Sequence, residues 1–423
     1  MGVGVCFETM VQMIINKISS ISPLRFHEFR IVWLVWLSAN TCNWMIDVTS
    51  AWLMTSLTSD PLVIALVQTA AALPVFSFGI VSGVLADSID RRRYLIAAQL
   101  WVTTVGAALL ALTMANLLTP VLLLILTFAN GIGLAMRWPV NAALTSQLLP
   151  RNQVSSAVAL NGVALNASKI VGPALAGILL AYSGRNIVFI LNVIFSLISA
   201  IALLIWMHSP AKRVDFQEPF NRALLVGMRY VFNSPHTRYS LIRTSLFSAQ
   251  AIALFALAPL IAIRFENANA STYSLLLASM GVGGIIIAMN LSSLRNRFKT
   301  DEFVLYGTIV SSLMTLVVAS TLNLALATIA MMFAGMAFVA VLNSLHVVAQ
   351  LSLPDEVRGR GMAWIQMTTM GGSAIGASIW GKVAALGGIS TSLILAAITA
   401  LLGLWLTRRL RIDGYGDASS ISI

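Results

Sequence analysis

Twelve long apolar segments follow one another along this chain, and they constrain its fold more than any other feature. An apolar segment of about 20 residues is long enough to cross a bilayer as a helix. We place the segments at residues 31–56, 61–86, 94–116, 119–145, 157–182, 186–208, 239–263, 273–293, 303–322, 324–349, 362–386 and 388–407. Their number and length predict an all-α integral membrane protein with twelve transmembrane helices.

The composition excludes a soluble protein. Hydrophobic residues make up 58% of the 423 residues and charged residues only 10%, against about 25% charged residues in soluble domains. So few polar residues cannot cover an aqueous surface. The basic residues are scattered between the apolar segments, and Cys6 and Cys42 do not stand at metal-ligand spacing. We therefore expect a lipid bilayer around the chain, and no nucleic-acid partner, metal or cofactor.

The basic residues also predict the orientation, because lysine and arginine accumulate on the cytoplasmic side of a membrane. An even number of spans puts both termini on one face, and 21 of the 26 lysines and arginines fall on that face. Three fall on the opposite face, namely Arg185, Arg264 and Lys382, while Arg137 and Lys169 lie inside spans. Both termini are therefore expected in the cytoplasm.

The longest polar stretch divides the spans into six and six. We predict a cytoplasmic N-terminal segment (1–28), a six-helix bundle (29–208), a cytoplasmic linker (209–238), a second six-helix bundle (239–407) and a cytoplasmic tail (408–423). In the linker, apolar residues at helical spacing favour an amphipathic helix on the membrane surface, with a plain linker as the alternative. These residues are Phe216, Phe220, Leu224, Met228 and Val231.

The two halves resemble each other weakly in sequence. Leu-Pro follows the fourth span at Pro150 and the tenth span at Pro354, and a basic loop follows the second and the eighth span. Six spans repeated in the same orientation are typical of transporters whose substrate site lies between two bundles near the bilayer midplane. The halves are therefore predicted to be parallel repeats.

The loop after the second span carries the most specific motif, G-V-L-A-D-S-I-D-R-R-R over 83–93. It resembles the loop signature of the major facilitator superfamily, G-x-L-A-D-(R/K)-x-G-R-(R/K), with Ser88 and Asp90 in place of a basic residue and a glycine. The resemblance implies a gate, in which the aspartate accepts hydrogen bonds from a helix N-terminus or pairs with an arginine. The gating residues are then Gly83, Asp87, Arg91 and Arg92.

Further motifs narrow the resemblance to one branch. Asn43-Trp44-Met45-Ile46-Asp47, Arg137-Trp138-Pro139 and the run from Ala349 to Pro354 are similar to the transmembrane secretion effector branch, which includes the enterobactin exporter. The similarity covers residues 25 to 407. It implies a transporter of a small-molecule substrate in the inner membrane of a bacterium, without implying which substrate.

The fifth span resembles the G-x-x-x-G-P-x-x-G-G motif of antiporters in the superfamily, with Ser168 and Ala176 in place of glycines. The matching residues are Gly172, Pro173 and Gly177. Small residues allow a close approach to the opposite bundle, and proline bends the helix. The partial motif favours export by antiport, although small residues also aid packing in any membrane helix.

Ionisable side chains deep in a span are functional candidates, because burying them in lipid is costly. Asp47 is the only carboxylate well inside a span, and Arg137 and Lys169 are the basic residues inside spans. Pairing of Asp47 with Arg137 would let protonation alter the charge of the cavity, as proton-coupled antiport requires; a hydrated, passive Asp47 is the alternative. Lys169 could attract an anionic substrate, pair with Asp47 or brace the bundle.

Polar and aromatic residues of the expected cavity complete the candidates. Amides also join helices, tryptophans also anchor at interfaces, and a histidine at an interface is also simply hydrated. The candidates for the substrate cavity are Asn43, Trp44, Trp138, Asn141, Gln250, Asn343 and His346.

Three classes of function are compatible with these features. The leading hypothesis is a monomeric secondary transporter that exports a small amphipathic molecule, such as a siderophore, in exchange for protons. A multidrug-type efflux pump or a proton-coupled importer of a small metabolite is the alternative within transporters. A non-transporting membrane sensor or a membrane enzyme is more remote, since the four histidines lack carboxylates at useful spacing. We expect the protein not to be an enzyme.

Overall fold

The computed structural model describes residues 22–205, 233–266, 268–295, 299–353 and 355–410. Within them the chain forms twelve long helices, preceded by a 3-10 turn at Ser22–Arg25. The helices are α1 (His27–Leu57), α2 (Pro61–Ser88), α3 (Arg91–Met114), α4 (Pro120–Leu148), α5 (Arg151–Tyr182), α6 (Arg185–Ile205), α7 (Pro235–Ile263, broken at Leu257), α8 (Ala270–Arg295), α9 (Thr300–Ser320), α10 (Leu324–Leu351), α11 (Asp355–Gly387) and α12 (Ile389–Leu406). The all-α prediction and the number and order of the helices are confirmed.

The helix starts follow from local sequence. Asp60, Thr119 and Asn323 accept hydrogen bonds from backbone N–H groups two or three residues into α2, α4 and α10. Such caps satisfy donors that the first helical turn leaves free. Proline at the start of α2 and α4 needs no backbone donor there. The sequence places α5 and α11 too late, because both helices continue through polar residues before the apolar segment that locates them.

Ten of the helices are long and apolar enough to cross a membrane, so the chain is a multi-pass membrane protein. The helices α1 and α11 are not among the ten. Both carry polar groups within an otherwise apolar sequence, including Asn43 and Asp47 in α1 and Asp355 and Glu356 at the start of α11. The linker prediction (209–232) and the terminal predictions (1–21 and 411–423) lie outside the described residues.

The first six helices pack mainly among themselves, and so do the last six. Two extensive contacts join these halves, α2 with α11 and α5 with α8. In the first contact, Thr69 Oγ1 donates to the Ala374 carbonyl oxygen at 3.0 Å and lies 3.0 Å from Ser378 Oγ. In the second, Gly281 leaves no space for a side chain against Ile170. Small residues therefore let the two halves approach closely.

The apolar core differs between the two ends of the molecule. We call the end that carries the α1–α2 loop the distal end, and the end at which α1 begins the proximal end. At the distal end one cluster of buried residues includes both halves, with Met54, Leu257 and Tyr273 among its members. Among the described side chains, the four other clusters each belong to a single half and lie toward the proximal end. Among the described residues, the halves therefore share a buried apolar core only at the distal end.

Candidate functional site

A hydrogen-bonded chain of polar side chains links α4 to the carboxylate in the middle of α1. Asn43 Nδ2 donates to Asp47 Oδ2 at 3.0 Å, one helical turn away. Asn130 of α4 donates in turn from Nδ2 to Asn43 Oδ1 at 3.1 Å. The amide of Asn43 therefore both orients the Asp47 carboxylate and ties it to the neighbouring helix.

Arg137 of α4 lies within electrostatic range of the same carboxylate. Its side chain is 3% exposed, its Nε has no hydrogen-bond partner among the described residues, and it interacts electrostatically with Asp47 and Cys42. Such interactions weaken slowly with distance where water is scarce. The described contacts include no direct ion pair between Asp47 and Arg137, so the structure brings the two groups together without joining them.

Lys169 of α5 lies near a histidine of the other half. It interacts electrostatically with His346 of α10, and it makes no hydrogen bond or ion pair with any described residue. His346 Nε2 lies 3.1 Å from Thr369 Oγ1 of α11. The two basic side chains therefore lie within electrostatic range of each other although they belong to different halves.

The ionisable residues of the site lie at different depths. Ser168 Oγ lies 3.1 Å from Thr41 Oγ1, which places the neighbouring Lys169 at about the depth of Thr41 on α1. Six residues separate Thr41 from Asp47, so the carboxylate lies roughly 9 Å further along the helix toward the distal end. The contact of Trp138 with Trp36 places the backbone of Arg137 on the proximal side of Asp47 as well. The site therefore has one carboxylate at its distal end and the basic side chains of Arg137, Lys169 and His346 toward the proximal end.

Tyr273 of α8 was not found by sequence reasoning. Its side chain is fully buried, its hydroxyl has no hydrogen-bond partner among the described residues, and it interacts electrostatically with Asp47. Its ring stacks on Trp52 of α1 with centroids 6.0 Å apart. A lone tyrosine in the first turn of an apolar span is the only signal in the sequence that could have indicated it.

The antiporter-like helix α5 faces a helix of each half. A side chain at Gly172 would collide with Trp44 and with the Thr41 backbone of α1, in the same half. A side chain at Gly177 would collide with Ser274 of α8, in the other half. Pro173 is buried inside the helix. Of the two glycines, Gly177 therefore faces the opposite half and Gly172 faces its own half.

In the loop after α2, Asp90 stands where the superfamily motif has a glycine. Asp90 Oδ1 accepts hydrogen bonds from the backbone N–H groups of Arg92 and Arg93, which makes it the N-cap of α3. Arg92 donates from Nε to the Leu203 carbonyl oxygen at 2.8 Å and also bonds the next carbonyl, at the end of α6. Arg91 is partly buried at the start of α3. Gly83 and Asp87 lie in the last turns of α2, and their side-chain surroundings lie outside the described part of the chain.

The remaining candidates for the cavity are more scattered. Trp138 makes an edge-on contact with Trp36, with centroids 6.0 Å apart, and Asn141 is buried in α4. Asn343 is partly buried one turn before His346. Gln250 accepts a hydrogen bond from Thr399 of α12 at 3.0 Å, and is therefore engaged within the second half.

Relatives of the chain are transporters by name. It is 25% identical over 242 residues to macrolide efflux protein A of Streptococcus pyogenes, and spans 60% of the length of that protein. It is 26% identical to the uncharacterized MFS-type transporter YfiS of Bacillus subtilis, over 82% of this chain and 84% of that one. It is 22% identical to the staphyloferrin A transporter of Staphylococcus aureus, over 59% of this chain and 63% of the relative.

Solved structures and a family model agree with these relatives. A bacterial homolog of the lysosomal transporter Spinster, in an inward-facing and unoccupied conformation, superposes with a TM-score of 0.75 at 14% identity, over 92% of this chain and 98% of that one. The nucleoside transporter NupG gives a TM-score of 0.72 at 14% identity, over 91% and 99% of the two chains. The model of the transmembrane secretion effector family matches residues 18–422, and the chain therefore belongs to this family of the major facilitator superfamily.

Proposed function

We propose that the chain is a proton-coupled exporter of a small amphipathic acid, with Asp47 as the group that carries the proton. The main support is the position of Asp47. Among the described residues it is the one carboxylate in the middle of a helix, and a network of amides from α1 and α4 holds it. A carboxylate so placed is costly unless it has a function or a partner.

The proposal includes the arrangement in the membrane. All twelve helices span a bacterial inner membrane as two bundles related as parallel repeats (29–208 and 239–407), with both termini in the cytoplasm. The proximal end is then cytoplasmic. The halves share their apolar core only at the distal end among the described residues, which supports a state that is closed distally and opens toward the cytoplasm. The contact of Gly177 in α5 with Ser274 in α8 supports a close distal seal.

The charges of the site favour an acidic substrate that also carries hydrogen-bond donors. Lys169 makes no hydrogen bond or ion pair with a described residue, and His346 of the other half lies within its electrostatic range. Neutralising a cation at low polarity is strongly favourable. An anionic end at Lys169 would leave the rest of the molecule to reach Asp47, roughly 9 Å deeper. Siderophores combine acidic groups with hydroxyl donors and fit this description.

The coupling follows from what a carboxylate can accept. Ionised Asp47 accepts hydrogen bonds from hydroxyl groups of the substrate, whereas protonated Asp47 has become a donor itself. A proton and a hydroxyl-bearing substrate therefore compete for the same oxygen atoms. Arg137 stabilises the ionised form while the substrate is bound. Proton entry from the distal side would expel the substrate, which is antiport.

Proton-gradient collapse in inside-out vesicles tests this function. We would add catecholate siderophores, carboxylate siderophores and lipophilic drugs separately, with wild type, Asp47→Asn and the control Asp60→Asn. Asp60 is an exposed N-cap, and asparagine caps equally well. We expect one class of acidic compound to collapse the proton gradient in wild type and in Asp60→Asn, but not in Asp47→Asn. Collapse that persists in Asp47→Asn would dismiss Asp47 as the coupling residue.

Multidrug efflux is the second candidate, because relatives are named for macrolide efflux. It predicts that neutral or cationic lipophilic drugs collapse the gradient while acidic compounds do not. Proton-coupled import predicts accumulation of the compound in right-side-out vesicles instead. The same panel of compounds therefore separates the three transporters.

We also propose that the loop after α2 is the cytoplasmic gate, with Gly83, Asp87, Arg91 and Arg92 as its residues. The bonds from Arg92 to the end of α6 support a fixed platform beside the loop. Asp87→Asn is expected to impair transport without affecting insertion. Asp90→Asn is the matched control, because asparagine preserves the N-cap of α3. Normal transport by Asp87→Asn would contradict the gate.

A further inference from the structure

A cavity of about 390 Å³ opens at the distal end of the first half, away from the Asp47 site. Its walls come from α1, the end of α5, the start of α6 and the first residue of α8. The lining includes Thr49, Trp52, Leu180, Ser183, Arg185 and Asn186. A volume of this size matches small-molecule sites in proteins.

The cavity is separate from the carboxylate site by helix geometry. Thr49, Trp52 and Ser56 line it from one face of α1, as their spacing requires. Asp47 precedes Thr49 by two positions, which turns it by about 200° around the helix and onto the opposite face. The two sites therefore lie on opposite sides of α1.

Two buried polar atoms at the cavity have no partner among the described residues. Thr49 is fully buried, and its Oγ1 has no hydrogen bond to any of them. Asn186 Oδ1 is also buried without a partner in this part of the chain. Leaving such groups unsatisfied is costly. Asn186 Oδ1 can only accept, so a ligand that satisfies it has to carry a hydrogen-bond donor.

The charge of the cavity is positive. Arg185 is exposed and makes no hydrogen bond or ion pair with a described residue. It is the first residue of α6, where the free backbone N–H groups of the helix also favour an anion. Trp52 and Leu180 contribute aromatic and aliphatic surface to the same lining.

We infer that this cavity binds small hydroxylated carboxylic acids, with the carboxylate at Arg185, the hydroxyl at Thr49 and Asn186, and the ring or chain against Trp52. As an exit position for the exported acid, the site rests on the proposed function. As a binding site it does not, because binding from the distal side needs neither a proton gradient nor Asp47.

Protection of a single cysteine from a maleimide tests the site. Ser183→Cys places an exposed thiol at the rim, in a chain with Cys6→Ser and with Cys42 buried. The probes are salicylate, benzoate, which lacks the hydroxyl, and salicylamide, which lacks the charge. Leu322→Cys, 70% exposed in the distal loop between α9 and α10, is the control position.

We expect saturating salicylate to slow labelling of Ser183→Cys at least tenfold, benzoate and salicylamide to act more weakly, and Leu322→Cys to be unaffected. Arg185→Gln and Thr49→Val are each expected to weaken the protection, whereas Asp47→Asn keeps it. Absence of protection, equal protection at Leu322→Cys, or full protection in Arg185→Gln would overturn the inference.

An anionic lipid headgroup presents similar chemistry and is a separate arm of the test. Protection by dihexanoyl phosphatidylglycerol but not by salicylate would assign the cavity to lipid and overturn the inference. Loss of transport in Asp47→Asn with salicylate protection intact would show that the two proposals stand independently. Loss of protection with proton coupling intact would remove only this site.

Discussion

Trp52 of α1 and Tyr273 of α8 stack across the two halves, with ring centroids 6.0 Å apart and planes 16° from parallel. Tyr273 is fully buried in the distal cluster that contains both halves. Its hydroxyl has no partner among the described residues and interacts electrostatically with Asp47. The stack therefore connects the contact between the halves to the carboxylate that we propose carries the proton.

Separating the ring of Tyr273 from its hydroxyl tests both roles. Tyr273→Ala removes the ring from a packed site and is expected to cost about 3 kcal/mol of stability. Tyr273→Phe keeps the stack and removes an unsatisfied buried hydroxyl, so it is expected to leave thermal stability equal or higher. If the hydroxyl acts with Asp47, Tyr273→Phe also moves the pH midpoint of transport.

Thermal unfolding in detergent and transport at several pH values measure these effects. Tyr182→Phe is the control, because Tyr182 is 88% exposed at the end of α5. If transport by Tyr273→Phe depends on pH in the same way as transport by the control, the role of Tyr273 is packing alone. A loss of stability in Tyr273→Phe as large as in Tyr273→Ala would show that the hydroxyl has a partner.

Gly177 and Ser274 form a close approach of α5 to α8. A Cβ at Gly177 would collide with the side chain of Ser274, so Gly177→Ala is expected to weaken the distal contact. The protein would shift toward a state that is open distally, seen as faster labelling of cysteines near the distal interface. Ser274→Gly removes the atoms in collision and should restore the wild-type rate in the double variant.

Gly403→Ala is the matched control for this series, because nothing lies within 4 Å of a side chain added there. Alanine in an open helical position favours the helix by roughly 1 kcal/mol over glycine. Equal labelling rates in Gly177→Ala and Gly403→Ala would show that the distal contact tolerates the larger residue.

The sequence predicts the positions of the helices far better than it predicts which helices pack against each other. The apolar segments of the sequence locate all twelve helices, ten of which are long and apolar enough to cross a bilayer, yet these segments miss the polar first turns of α5 and α11. The charges Asp47, Arg137 and Lys169 are found because charge in lipid is costly.

What the sequence cannot predict is which helices face each other. Lys169 lies within electrostatic range of His346, 177 positions further along the chain, and no local pattern indicates this proximity. Tyr273 is missed for the same reason, since the residue on which it stacks, Trp52, lies on α1 in the other half. The sequence places Gln250 among the candidates for the cavity, but its side chain accepts a hydrogen bond from Thr399 within the second half.

Arg243 and Asp301 form an ion pair between α7 and α9. Arg243 is 6% exposed and the Asp301 side chain 23%. Removing one partner leaves a poorly hydrated charge, so Asp301→Asn is expected to cost about 3 kcal/mol. Glu302→Gln is the control, because the side-chain oxygen of glutamine can still accept the hydrogen bond that Glu302 Oε2 accepts from the Lys299 backbone N–H at the start of α9.

Adding Arg243→Met to Asp301→Asn removes the orphaned charge and should recover part of the lost stability, measured as the unfolding temperature in detergent. If the double variant does not unfold at a higher temperature than Asp301→Asn alone, the loss of stability arises from contacts of Asp301 other than the ion pair.

Lys169 provides the sharpest test of the substrate class. If its ammonium binds the anionic end of the substrate, Lys169→Gln is expected to raise KM about tenfold for an acidic substrate, which corresponds to about 1.4 kcal/mol. KM for an uncharged amide of the same compound should change little. Lys382→Gln, at an exposed position near the distal end of α11, is the matched control. An equal rise in KM for the acid and for its amide would mean that Lys169 supports the structure of the cavity instead of binding the anion, and the argument for an acidic substrate would then lose its main support.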